Sequence, residues 1–175
     1  MSLMDTFLAR RSVRQFTGEP VSDDEIRQIV EAGMLAPTGK GIRPWHFITI
    51  QDPDHIHGLI GCRRGGPAML ETATAAIAVL GDTTKSDTCI EDSSVALENM
   101  HLMAFSLGLG SCWLQVRLRP SEKEGVSTMA FLRERLGFPN QMELEALLVL
   151  GHSAKEPASH ALDELPRGRI HREVW

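Results

Sequence analysis

Apolar residues recur at Val95, Leu97, Met100, Leu102, Met103, Phe105 and Leu107, leaving almost no polar face after Asn99. A helix that is apolar nearly all round is a buried one, so the rest of the chain is expected to wrap around this stretch. Gly108 and Gly110 break the pattern, as glycines do at a helix end, and SCWLQV follows as a short strand. The clearest amphipathic helix is 21–35. Ile26, Ile29, Val30 and Met34 share a face, Ser22 and Glu25 make a capping box, Val21 staples against Ile26, and Pro37 ends the helix. Shorter helices are expected over 2–10, with Leu3, Phe7 and Leu8 as apolar contacts, and over 54–60. Another is expected over 129–136, preceded by a capping box of Ser121 and Glu124 and stopped by Gly137 and Pro139. Runs 46–51, 75–80 and 145–150 read as further strands. Strands and helices alternate irregularly, which predicts an α+β fold with a mixed or antiparallel central sheet. The tail 152–175 has little periodicity and no core of its own, so it is either disordered or packed on something else, such as another subunit.

Composition narrows the class. A chain of 175 residues with 42% hydrophobic and 23% charged residues suits one globular domain. A net charge of −5 argues against general nucleic-acid binding, which needs a basic face. No apolar signal core opens the chain, and no run approaches the roughly 20 residues of a membrane span, so no membrane partner is expected. Three cysteines, an odd number without CxxC spacing, read as reduced thiols in a cytoplasmic protein. The seven histidines show no paired spacing for a metal, and no GxSxG nucleophile motif occurs.

Against this acidic average, basic residues cluster at both ends. RRSVRQF, residues 10–16, sets three arginines around Ser12. Taken alone it reads as a solvated helix end, which the helix dipole favours. It also reads as an anion site, because guanidinium groups bind phosphate in bidentate fashion and a serine adds a hydroxyl donor. Residues 37–44 form a turn-rich loop whose glycines let backbone N–H groups approach a ligand, although GxxxxGK[ST] spacing is absent. CRRGGP, 62–67, is a flexible basic loop, and LPRGRIHREVW adds cations near the end.

Four segments in order, RRSVRQF, APTGKGIRPWHFITI, VALENMHLMAFSLGLGSCWLQVR, and LGHSAKEP followed by PRGRIHREVW, resemble the short form of the FMN-dependent nitroreductase family over nearly the whole chain. The resemblance implies one nitroreductase-like domain over 1–175, an intertwined homodimer, and a C-terminal extension, 158–175, packed on the partner subunit. It implies FMN at the dimer interface, with Arg10, Arg11 and Ser12 on the phosphate and ribitol and Arg14 near the flavin N1/O2 edge. Pro37, Thr38 and Gly39 match a loop that the second subunit lends to the flavin. Trp113, Leu114, Gln115 and Val116 match the strand along the ring, with the Gln115 N–H facing N5. Arg167 and Arg169 match basic residues that close on the phosphate. No catalytic side chain is implied, since the flavin carries the chemistry. NADH or NADPH delivers hydride to N5, and a nitroaromatic, quinone or similar acceptor is reduced next, by a ping-pong mechanism. A flavin-storage module without turnover, and a flavin-consuming or dehalogenating enzyme, are the alternatives. The chain departs from the family pattern at Gly41, where Asn is usual, and at Arg43, where Gln is usual. Lys40 and Arg43 add positive charge to that loop instead.

Overall fold

The computed structural model describes residues 2–65 and 68–175, so the last two positions of the CRRGGP loop lie outside the described residues. Its helices are α1 (Leu3–Ala9), α2 (Asp23–Met34), α3 (Pro53–His57), α4 (Cys89–Ser106) and α5 (Thr128–Leu136). Its strands are β1 (Trp45–Ile50), β2 (Ala75–Asp82), β3 (Gly110–Gln115) and β4 (Met142–Gly151). The strands form one sheet in the order β1-β2-β4-β3, and each neighbouring pair is antiparallel. The sheet is therefore antiparallel rather than mixed. Among the described residues, parallel pairing is confined to a single bridge from Ser12 to Ser111.

Both central strands, β2 and β4, are buried almost throughout. Covering on two faces explains why EALLVL shows no polar alternation. One face packs Ile26, Ile29, Leu97, Met100 and Ala104 of α2 and α4 against Ile77, Val79, Leu148 and Leu150. The other packs Ile56, Leu59, Leu70, Leu132 and Phe138 against Ala78, Leu80, Leu147 and Val149. Between Val79 and Leu80 the β2–β4 register slips, so Glu145 is the extra residue of a β-bulge.

The capping box of Ser22 and Glu25 is present. The one expected from Ser121 and Glu124 is not. Ser127 caps α5 on the Ala130 N–H at 3.1 Å, and the Ser121 hydroxyl donates to Val126 O at 2.7 Å. Gly125 adopts φ +73° between them, a conformation that no helix continues through. Two expected burials also fail. α1 buries no residue, leaving Leu3 and Phe7 exposed, and α4 presents Val95, 41% exposed, on its outer face. Beside α1, a 320 Å³ groove is lined by Leu3, Ala32, Leu35, Leu102 and Met103. The apolar periodicity of α4 therefore has two causes, the core on one side and an open apolar surface on the other.

Candidate functional site

The arginine segment begins at a helix end, with Arg10 as the C-cap of α1 and its N–H donating to Thr6 O at 2.9 Å, and then leaves the helix. α1 stops at Ala9, and Arg10 already has extended backbone, φ −60° and ψ 127°. From there the chain lies against the ends of β3 and β4. The Val13 N–H donates to Ser111 O at 2.9 Å, and Phe16 bridges Ser153. Glycine permits this approach: a Cβ on Gly110 would sit 2.8 Å from Val13 Cγ1, and one on Gly151 2.9 Å from Phe16. With Val13 and Phe16 buried, Arg10, Arg11 and Ser12 remain half-buried and Arg14 exposed.

The partners of Arg10 and Arg11 are neutral. Arg10 donates to Nε2 of His101 at 2.8 Å, and Arg11 donates to the carbonyl of Ala158. Nδ1 of His101 contacts the hydroxyl of Ser111. Burial, and then the adjacent Arg10 cation, push the His101 imidazole down to about 4 from its ordinary 6.5. It is a neutral group at physiological pH. Arg10, Arg11, Val13, Gly110, Ser111 and Ser153 help line a cavity of about 440 Å³, which also meets the carboxylate of Glu156. Across the same strand, a second cavity of about 310 Å³ is lined by Arg14, Arg63, Arg64, Cys112, Trp113 and Leu114. Arg63 and Arg64 thus join the site from a loop that its basic composition alone left unassigned.

β3 is an edge strand, and its hydrogen bonds alternate. The Val116 N–H turns inward to Glu145 O at 3.2 Å, whereas Ser111 O turns outward to the arginine segment. By that alternation the N–H groups of Trp113 and Gln115 lie on the open edge. Side chains hold this stretch. Trp113 Nε1 donates to Gln115 Oε1 at 2.7 Å, and Gln115 Nε2 donates to Glu145 Oε1 at 3.2 Å. The Gln115 side-chain amide is thereby committed to its neighbours, while its backbone N–H points to the open edge by the same alternation.

Arg10, Arg11, Ser12 and Arg14 are therefore brought beside β3, where Arg14 shares a cavity with Trp113 and Leu114 while Gln115 and Val116 line neither cavity. Pro37, Thr38 and Gly39 are not. Their loop is fastened to the start of α4, where the Gly39 N–H donates to Asp92 Oδ1 at 2.9 Å and the Arg43 N–H to Thr38 Oγ1 at 3.1 Å. Asp92 and His101 are nine positions apart, about 14 Å along a helix axis. Lys40 and Arg43 both take φ +54°, so strained backbone marks this loop. Arg167 and Arg169 stand on an exposed 3₁₀ turn and line neither cavity beside β3. Sequence reasoning missed His101, a lone histidine whose only signal was its place on the buried helix, and Asp92.

The nitroreductase family model matches residues 8–90. A protein of Archaeoglobus fulgidus, provisionally named an NADH dehydrogenase/NAD(P)H nitroreductase, is 37% identical over 171 residues, covering 95% of this chain and 94% of that one. The solved FMN-dependent nitroreductase of Clostridium difficile R20291 superposes with a TM-score of 0.95 at 33% identity, covering 99% of this chain and 100% of that one. A provisionally named nitroreductase from Desulfovibrio desulfuricans, solved in complex with FMN, has a TM-score of 0.80 at 25% identity, covering 100% and 98%. Sequence and fold agree along the whole length, and the chain belongs to the nitroreductase family.

Proposed function

We propose that this protein is an FMN-dependent oxidoreductase that draws electrons from NADH or NADPH and passes them to a nitroaromatic, quinone or similar acceptor. Donor and acceptor use one site in turn, in ping-pong order. The observation that carries the reading is a row of arginines without acidic partners beside the open edge of β3. Among the described residues no carboxylate lies within ion-pair distance of Arg10, Arg11 or Arg14.

The residues fit FMN. A terminal phosphate dianion needs uncompensated cations, and Arg10 and Arg11 present them at one cavity, with Ser12 next in the chain as a candidate hydroxyl donor. A flat heteroaromatic ring needs N–H donors along one edge, and Trp113 and Gln115 offer them. When bound, FMN supplies two-electron redox chemistry that no side chain here provides. Arg10, Arg11 and Ser12 would hold the phosphate. The Gln115 N–H, on the open edge of β3, would hold the ring edge of the flavin. Arg14, joined by Arg63 and Arg64 in its cavity, would set positive charge beside the ring and favour its electron-rich reduced form.

We further propose that residues 1–175 act as one domain that pairs with a second copy. Each copy lends Pro37, Thr38 and Gly39 to its partner's flavin, and the segment 158–175 crosses over so that Arg167 and Arg169 approach the phosphate. The open apolar surface supports this reading. Leu3, Met4 and Leu35 are 66%, 54% and 82% exposed, and in the tail Ile170, Val174 and Trp175 are 74%, 77% and 100% exposed. Among the described residues no helix is long and apolar enough to cross a membrane. All three cysteines are buried and unpaired, and we place the protein in the cytoplasm.

The test is the absorbance of the purified protein before and after anaerobic NADH and NADPH. The expected result is a yellow protein bleached by at least one of them and recoloured by an added quinone or nitroaromatic. A yellow protein that neither nicotinamide bleaches would indicate flavin storage. Loss of the flavin, or release of halide from a halogenated acceptor, would indicate the consuming or dehalogenating alternatives.

A further inference from the structure

We propose that His101 is a positioning residue that fixes the Arg10 guanidinium at the wall of its cavity through a buried relay, Arg10–His101–Ser111. The inference rests on the reading of that cavity as the FMN phosphate site.

The chemistry of the three groups leaves one arrangement. Guanidinium carries donors only, so Nε2 of His101, 2.8 Å from Arg10, must be the lone-pair nitrogen. Nδ1 then carries the proton and donates to the hydroxyl of Ser111. His101 and Ser111 are 3% and 2% exposed, so bulk water does not compete for these contacts. Ser111 also anchors the arginine segment through its backbone. Its carbonyl accepts the Val13 N–H at 2.9 Å, and it bridges Ser12. The residue that orients the imidazole therefore also sets the register of the segment bearing Arg10. One strand position fixes both the backbone and the side chain of the anion-binding arginine.

The choice of acceptor matters. A carboxylate would hold the guanidinium equally well but would cancel its charge. A neutral imidazole orients Arg10 and leaves the cation whole for an anionic ligand. Burial and the neighbouring guanidinium keep that imidazole unprotonated at neutral pH. An arginine fixed in advance also loses less side-chain freedom when the ligand arrives.

The test compares FMN with riboflavin, which lacks the phosphate, by titration of the flavin-free full-length protein. His101→Leu removes both relay contacts. His101→Gln keeps an acceptor near the position of Nε2. For His101→Leu the FMN dissociation constant is expected to rise about ten-fold or more, the usual scale for losing a charge-assisted contact. Its riboflavin constant is expected to stay within about two-fold, which also shows that the variant is folded, and His101→Gln should recover most of the FMN loss. Equal losses for FMN and riboflavin, or His101→Gln no better than His101→Leu, would mean that His101 serves only the fold. A wild type that prefers FMN, with a His101→Leu variant that prefers it just as strongly, would overturn this inference alone. A wild type that binds riboflavin as tightly as FMN would refute the phosphate reading and this inference with it.

Discussion

A guanidinium that donates to a neutral imidazole keeps its charge, and that separates Arg10 from the surface arginines of this chain. Arg27, by contrast, is shared between Asp24 and Glu31 on an exposed helix face. Replacing Arg10 by alanine should therefore weaken FMN binding by about 1.5–3 kcal/mol, the range for a hydrogen bond to a charged group. The flavin-free protein should lose no more than about 1–3 kcal/mol, the scale for leaving the buried Nε2 of His101 without its donor. Unchanged affinity with a collapsed melting temperature would return Arg10 to a structural role. His101 adds a pH dependence whose sign is fixed. Its folded-state pKa, about 4, lies below the ordinary 6.5, so between these values the unfolded chain binds a proton that the folded chain refuses. Stability of the flavin-free protein should thus rise as pH increases from 4 to 6.5, by roughly 3 kcal/mol from this group. Urea denaturation at pH 4.5 and 7 checks it, and His101→Gln should remove most of the slope. At this scale the arginines were legible because three occur within five residues. His101 was not, because burial and a partner ninety-one positions away leave no local mark.

At the scale of elements, one local cap was read correctly, while those at Ser2, Asp52 and Ser127, just as local, were not. Ser22, Glu25 and Ile26 lie within one helical turn of each other, and the structure keeps that reading. The failure at Ser121 has the same logic reversed. Its S-x-x-E spacing is genuine, but Gly125 at φ +73° turns the chain before a helix can start. The loop at Gly39 shows what spacing cannot reveal. Its conformation is dictated by Asp92, fifty-three positions away, and by Thr88, whose hydroxyl donates to Asp92 at 3.2 Å. A Cβ on Gly39 would stand 2.6 Å from Thr88 Oγ1. Gly39→Ala should accordingly destabilise the protein by about 1–3 kcal/mol through overpacking. The penalty should shrink when Thr88→Ala makes room, so the pair should be non-additive in urea denaturation. Strict additivity would mean that the loop is not seated on α4 in this way.

At the scale of the whole molecule, the α+β class and the four strands were legible, with antiparallel pairing as one of two readings, and the strand order was not. Strand order depends on which apolar runs meet across the chain, and EALLVL is equally compatible with parallel and antiparallel neighbours once both of its faces are covered. The tail was readable only by what it lacks, and the structure gives that lack a physical form. The His160 N–H donates to Leu8 O at 2.8 Å, and beyond it every residue to Trp175 is exposed. Ile170, Val174 and Trp175 gain nothing in water, whereas on a second copy each Å² of apolar surface buried contributes about 25 cal/mol. If that copy supplies the missing cover, the same crossing carries Arg167 and Arg169 toward a flavin, and assembly and cofactor binding become linked. Deleting 162–175 separates this from local effects, because Ala158 and His160, which contact Arg11 and Leu8, are retained. The truncated protein should be a monomer by light scattering, should lose most of its FMN, and should keep the circular dichroism of the folded sheet. A truncated protein that stays dimeric and fully yellow would show that the tail is dispensable to both assembly and cofactor. One that stays dimeric but colourless would confine the tail's role to Arg167 and Arg169 at the phosphate, and would leave the apolar face of α1 and α4 as what joins the copies.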